Sequence, residues 1–119
     1  MKSNKVKQTL KEGGTSIGTM VFEFCTPGIA RLSAEAGAEF IMYDMEHTGW
    51  SVETVRDLIA TTNPEHIEPL VRVPATQYHF IARVLDVGAR GVMVPMVSDA
   101  RQAEVIVQSG KYPPVGQRG

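Results

Sequence analysis

The chain has 119 residues, 43% hydrophobic and 21% charged, with 12 Lys and Arg against 13 Asp and Glu for a formal net charge of -1. That length suits one modest domain and not two, and the balanced charge leaves no basic stripe to neutralise a phosphate backbone, so nucleic acid is not an expected partner. A lone cysteine, Cys25, permits no intramolecular disulfide and fits a reducing cytoplasmic compartment, while no run reaches the roughly 18 apolar residues of a membrane span, so no membrane role is expected.

The opening "MKSNKVKQTLKEGG" is too polar for a signal-peptide core and reads as an amphipathic lead-in helix, with Val6 and Leu10 four apart on one face. After Gly13 and Gly14, "TSIGTMVFEF" is β-branched and apolar enough for a first strand, ended by Cys25-Thr26-Pro27-Gly28. "GIARLSAEAG" spaces Ile29, Leu32 and Ala36 for a helix that stops at Gly37. "AEFIMYD" is a continuous apolar run ending in an acid, and "SVETVRDLIATT" follows as a helix opened by a Ser-x-x-Thr start. "EPLVRV" is the third strand, closed by Pro74, and "QYHFIARVLDVG" the third helix of the repeat, closed by Gly88. "GVMVPMV" is the fourth strand, followed by the helix "SDARQAEVIVQSG", for which Ser98 or Asp99 supplies a cap. The terminal "KYPPVGQRG" has too many prolines and glycines for regular structure.

Strands alternating with helices at this spacing imply parallel pairing through right-handed crossovers, and strands without polar alternation imply burial on both faces. Two architectures satisfy that pattern. An open doubly wound sheet can be finished in four or five strands, whereas an eight-stranded barrel takes about 250 residues, of which this chain would supply about half.

In either architecture functional groups gather at the carboxyl ends of the strands, where the βα loops open. Asp44, Glu46 and His47 lie there, in "MYDMEHTGW", at the end of the second strand. A histidine beside a carboxylate suits a general base at neutral pH, set against a histidine that merely satisfies hydrogen bonds in a loop. Arg72 stands inside the buried-looking "PLVRVP" and requires either an anionic partner or a polar cavity. It fits an oxyanion holder, with an internal ion pair to one of the preceding acids as the plainer reading. Asp86 sits near the carboxyl end of a helix, where an acid is electrostatically disfavoured and asks for a partner. A histidine across the strand ends would serve, with surface exposure or pairing with nearby Arg83 or Arg90 as the plainer explanation. Glu23, in "VFEF", is a weaker candidate, pointing into an interior or marking an edge. His66, His79 and Cys25 fit surface or packing roles. "GGTSIG" precedes a strand and so fails as a phosphate-binding loop. Asp44, Glu46 and His47 have usable ligand chemistry without completing a metal site by themselves.

The segments "YDMEHTGWSVETV", "PLVRVP", "VLDVGARGVMVPMV" and "KYPPVGQRG", in this order and spacing, resemble the metal-dependent pyruvate aldolases of the HpcH/HpaI family, of the 2,4-dihydroxyhept-2-ene-1,7-dioate aldolase type. The resemblance runs from about Gly18 onward. It implies a TIM (β/α)8 barrel of the phosphoenolpyruvate/pyruvate superfamily, with residues 1–119 forming the amino-terminal half of the barrel domain and about its first four βα units. It implies a carbon-carbon lyase that cleaves a 4-hydroxy-2-oxo acid to pyruvate, or a related 2-oxo acid, and an aldehyde, with a divalent cation (Mg2+, Mn2+ or Co2+) polarising the oxo acid.

On that resemblance His47 matches the family's base, Asp86 the acid that raises its basicity, and Arg72 the holder of the enolate oxygen. Asp44 and Glu46 match supporting positions of the same motif. The family's metal-ligating glutamate and aspartate are expected after Gly119, so the chain is expected to be a piece of a longer enzyme, inactive alone. A homo-oligomer is expected, because a half barrel exposes strand edges and one side of its core. Two rival readings are an oxaloacetate-type decarboxylase acting through the same enolate and a non-catalytic half barrel that self-associates.

Overall fold

A computed structural model of the chain describes residues 3–119. The short helix α1 (Lys5–Lys11) precedes four βα units: β1 (Gly18–Val21) with α2 (Ile29–Glu35), β2 (Phe40–Asp44) with α3 (Val52–Ala60), β3 (Glu68–Arg72) with α4 (Tyr78–Asp86), and β4 (Gly91–Met93) with α5 (Ala100–Gly110). The four strands form one parallel sheet in the order β1-β2-β3-β4. Strands laid down in sequence order through crossovers of one hand place their helices on the same face. A doubly wound sheet must reverse direction at a switch point, and this sheet does not. The architecture is therefore part of a (β/α)8 barrel.

Three of the five helices start at a side-chain cap. Asn4, Ser51 and Asp99 each accept from a backbone N–H inside the first turn of α1, α3 and α5. Gly37 and Gly88, just past α2 and α4, adopt φ of 93° and 110°, a left-handed turn that a side chain would strain.

Strand alternation sorts side chains to the two faces. Ile41, Tyr43, Val71 and Val73 are fully buried on the helix-covered side with Val55, Leu58, Ile81 and Val84. Thr62 donates to the Leu58 carbonyl, so the Tyr43 hydroxyl, 2.7 Å away, donates to Thr62 and closes a buried polar link from sheet to α3. The alternate residues Phe40, Met42 and Asp44, with Leu70 and Arg72, occupy the other face. That face is only partly closed: Met93 on β4 is 44% exposed. Burial on both faces, expected from the unbroken apolar runs, thus holds for the helix side but on the other face only for Met42, Asp44 and Glu68.

Beneath the sheet, at the amino ends of the strands, Glu68 is 1% exposed and ties α1 down. One of its oxygens accepts the Lys5 backbone N–H at 2.9 Å, and the other pairs with Arg90 Nε at 2.9 Å. The Asn4 amide donates to the Arg90 carbonyl at 3.1 Å and extends the same latch.

Candidate functional site

At the opposite, carboxyl ends of the strands, register aligns one level of side chains. Asp44 on β2 is the Cα partner of Arg72 on β3, which is the partner of Met93 on β4. On β1, Val21 is level with Tyr43, which puts the next residue, Phe22, level with Asp44.

Asp44 is fully buried and organises the turn that follows it. Its two carboxylate oxygens accept the backbone N–H groups of Glu46 (3.0 Å) and His47 (3.1 Å), while its carbonyl accepts from the Thr48 hydroxyl at 2.6 Å. Thr48 in turn accepts the Trp50 N–H at 3.2 Å. An aspartate bonding the backbone two and three residues ahead folds the chain back over its own strand end, and this brings Glu46 and His47 over the barrel mouth.

Arg72 meets Asp44 edge-on, Nε donating to Oδ1 at 2.7 Å and Nη2 to Oδ2 at 3.0 Å, the bidentate geometry a planar guanidinium favours. Arg72 Nε also lies 3.2 Å from Glu46 Oε2, and that same oxygen is 3.6 Å from His47 Nε2. Exposure grades outward through the cluster: the side chains of Asp44, Arg72, Glu46 and His47 are 0%, 17%, 17% and 64% exposed. Burial pushes the Asp44 carboxyl up, but the Arg72 hydrogen bonds and the two backbone N–H donors outweigh it and hold the group below the usual carboxylate range. The Asp44 hydrogen bonds likewise raise Arg72 above its ordinary value. Asp44 and Arg72 are therefore a fixed opposite-charge pair at neutral pH, and the imidazole is the group of the cluster most open to solvent.

Four of the five sequence candidates, Asp44, Glu46, His47 and Arg72, come together here. The plainer reading of Arg72, an internal ion pair, holds, and it coexists with a guanidinium Nη1 that donates to no protein acceptor among the described residues. Asp86 is elsewhere. Its carboxylate accepts from Arg118 Nε and Nη2 at 3.0 and 2.6 Å, and no hydrogen bond or ion pair joins it to His47 among the described residues. The partner demanded by its helix-end position is a residue of the terminal loop, not the expected histidine; Arg83 and Arg90 pair with Glu53 and Glu68 instead. Glu23, read as a strand acid, is exposed beyond the end of β1. Two features of this site carry no signal in the local sequence: the Phe22 ring, 5.7 Å from the Arg72 guanidinium carbon, and the double use of Glu46.

No group of three or more His, Cys, Asp or Glu among the described residues is placed to hold a metal ion. Asp44, the natural first ligand, already serves Arg72 and two backbone N–H groups. This donor set does not by itself make a cation site. No helix is long and apolar enough to cross a membrane among the described residues.

The family model for HpcH/HpaI aldolase/citrate lyase matches residues 20–119. A hydroxypyruvate/pyruvate aldolase of Roseobacter denitrificans is 34% identical over 116 residues, covering 98% of this chain and 45% of the relative. A 2-keto-3-deoxy-L-rhamnonate aldolase of Salmonella gallinarum is 34% identical over 117 residues, covering 98% of this chain and 43% of the relative. The crystal structure of an HpcH/HpaI aldolase from Desulfitobacterium hafniense superposes with a TM-score of 0.89 at 34% identity, over 96% of this chain and 44% of that one. The chain thus spans somewhat under half the length of the relatives it matches.

Proposed function

The chain belongs to the HpcH/HpaI aldolase/citrate lyase family, and from that premise we propose that its Asp44–Glu46–His47–Arg72 cluster forms the proton-moving and anion-holding side of an aldolase site. The substrate class is a 4-hydroxy-2-oxo acid, cleaved to pyruvate or a related 2-oxo acid and an aldehyde. The observation that supports the reading is Glu46 Oε2, which lies 3.2 Å from Arg72 Nε and 3.6 Å from His47 Nε2 and so links the two groups through one carboxylate.

In the cleavage direction His47 takes the proton of the 4-hydroxyl. The C3–C4 bond breaks as the C4 carbonyl forms, and the electron pair moves into C3 and the 2-oxo group as an enolate. Charge develops on the C2 oxygen, where the free Nη1 edge of Arg72 stabilises it. The proton held by His47 is then delivered to C3, completing the 2-oxo acid and restoring the base. Asp44 keeps the guanidinium edge-on to the barrel mouth. Glu46 takes the histidine-facing role that the family resemblance implied for Asp86, because it is the carboxylate beside His47 in this structure. The divalent cation that the resemblance implies needs donors beyond this cluster, so none of these steps is assigned to it.

The test is pyruvate release from 4-hydroxy-2-oxo acids by the enzyme and its His47→Ala and Arg72→Ala variants. Loss of a general base or an oxyanion donor lowers turnover by about 100-fold or more. Turnover within a few-fold of wild type in both variants would remove the assignment. His47, mostly exposed, is expected to be replaced without loss of fold.

A further inference from the structure

The guanidinium of Arg72 is held at its edge by Asp44, and an aromatic ring lies near it. The Phe22 ring centroid lies 5.7 Å from the guanidinium carbon, within cation–π range. Phe22 is the first residue beyond β1, level with Asp44 and Arg72 in the sheet register, and it reaches across β2 to the side chain on β3. It is 44% exposed, so the ring is not there to fill a closed core. An aromatic ring left half in solvent loses apolar burial, and a charged group of the proposed site lies within cation–π range of it.

We propose that Phe22 is a positioning residue for Arg72: it stacks on one face of the guanidinium, confines its rotation about the Asp44 pair, and directs the free Nη1 edge toward the oxygen on which negative charge develops. Asp44 alone fixes the guanidinium in its own plane, since both of its bonds lie along one edge. A second restraint perpendicular to that plane is what a ring face supplies. Phe22 touches neither of the acids nor the imidazole through any polar group, so it acts on the reaction only through Arg72. The catalytic consequence rests on the proposed lyase function; the stacking itself does not.

Two measurements test this separately. In proton–nitrogen NMR spectra of this chain, the Arg72 Nε–H and Nη–H resonances are expected to carry an upfield ring-current shift that disappears in Phe22→Leu and persists in Phe22→Tyr. Unchanged Arg72 resonances in Phe22→Leu, with backbone resonances elsewhere preserved, would overturn the stacking. In the enzyme, Phe22→Leu is expected to lower kcat about 3- to 30-fold, the range spanned by a partly desolvated cation–π contact, with KM for the oxo acid changed less than about two-fold and kcat restored in Phe22→Tyr. A raised KM at constant kcat would show that the ring merely contacts substrate and would overturn the positioning role. Absence of turnover in the wild type would remove the lyase reading and leave the stacking decided by the resonances.

Discussion

Replacing Asp44 with Asn removes one negative charge and leaves the shape of the site intact, so its cost reports on the pair that organises the cluster. Breaking a buried ion pair by removing one partner costs about 3–5 kcal/mol when the other charge is stranded. Arg72 would not be wholly stranded: it retains Glu46 at 3.2 Å and is 17% exposed. The asparagine oxygen can also keep one of the two backbone N–H bonds. Both considerations bring the expected loss to about 2–3 kcal/mol at pH 7, which a domain with roughly 5–15 kcal/mol of stability survives.

The pH dependence supplies a second check on the same substitution. Because the Asp44 carboxyl is held below its usual range, the folded chain binds that proton more weakly than the unfolded chain. Its stabilising contribution is therefore fully present above the unfolded pKa of about 4 and is lost as pH falls through the lowered folded value. Urea unfolding of wild type and Asp44→Asn, followed by circular dichroism from pH 7 to pH 2.5, should show a constant gap down to about pH 4 and a narrowing gap below it. A gap under about 1 kcal/mol at pH 7, or one unchanged between pH 7 and pH 2.5, would refute the assignment of a charged, structurally dominant pair.

Two other elements make comparable predictions. Glu68→Gln leaves Arg90 beneath the sheet without its anionic partner and weakens the latch on α1; a loss of about 1–3 kcal/mol is expected, with hydrogen exchange of the α1 amides rising more than that of β2, and equal protection in both proteins would count against the latch. Gly116→Ala places a Cβ against the backbone oxygens of Lys111 and Gln108, the latter at 2.7 Å. The terminal loop should then lift, lose the Arg118–Asp86 pair and become sensitive to trypsin at Arg118 while the thermal midpoint of the core falls by only a few degrees; unchanged cleavage at Arg118 would show that the loop tolerates the methyl group.

Much of this arrangement is written in local patterns. Unbroken apolar runs such as "FIMY" and "PLV" between capped helices imply a parallel sheet, and the four linked segments favour a barrel over an open sheet. The observed order β1-β2-β3-β4 agrees. Strand ends are less legible, because they depend on what the neighbouring strand offers. β1 stops at Val21, where Glu23 and Cys25 close a turn at 3.1 Å. β4 stops at Met93, before Pro95, which has no N–H to give, and Met96, whose φ is 56°.

Within the site, Asp44 and Arg72 could be picked out because charge conflicts with burial at a strand end, and Glu46 and His47 because they follow Asp44 where the βα loops open. The partner of Asp86 could not, since Arg118 is brought to it by a loop 32 residues further along the chain. Glu68 looks like an ordinary polar strand start until α1 folds beneath it. Phe22 has no charge or motif to mark it, and its contact with Arg72 spans two strands of register.

The most direct measurement is a titration with oxalate, a planar dianion with the shape and charge of a 2-oxo acid enolate, while the side-chain resonances of His47 and Arg72 are followed together. A shared binding volume predicts that both move along one isotherm with a single midpoint, and that Arg72→Ala abolishes the response of His47. Movement of only one of them, or two separate midpoints, would contradict a site in which the imidazole and the guanidinium address the same molecule.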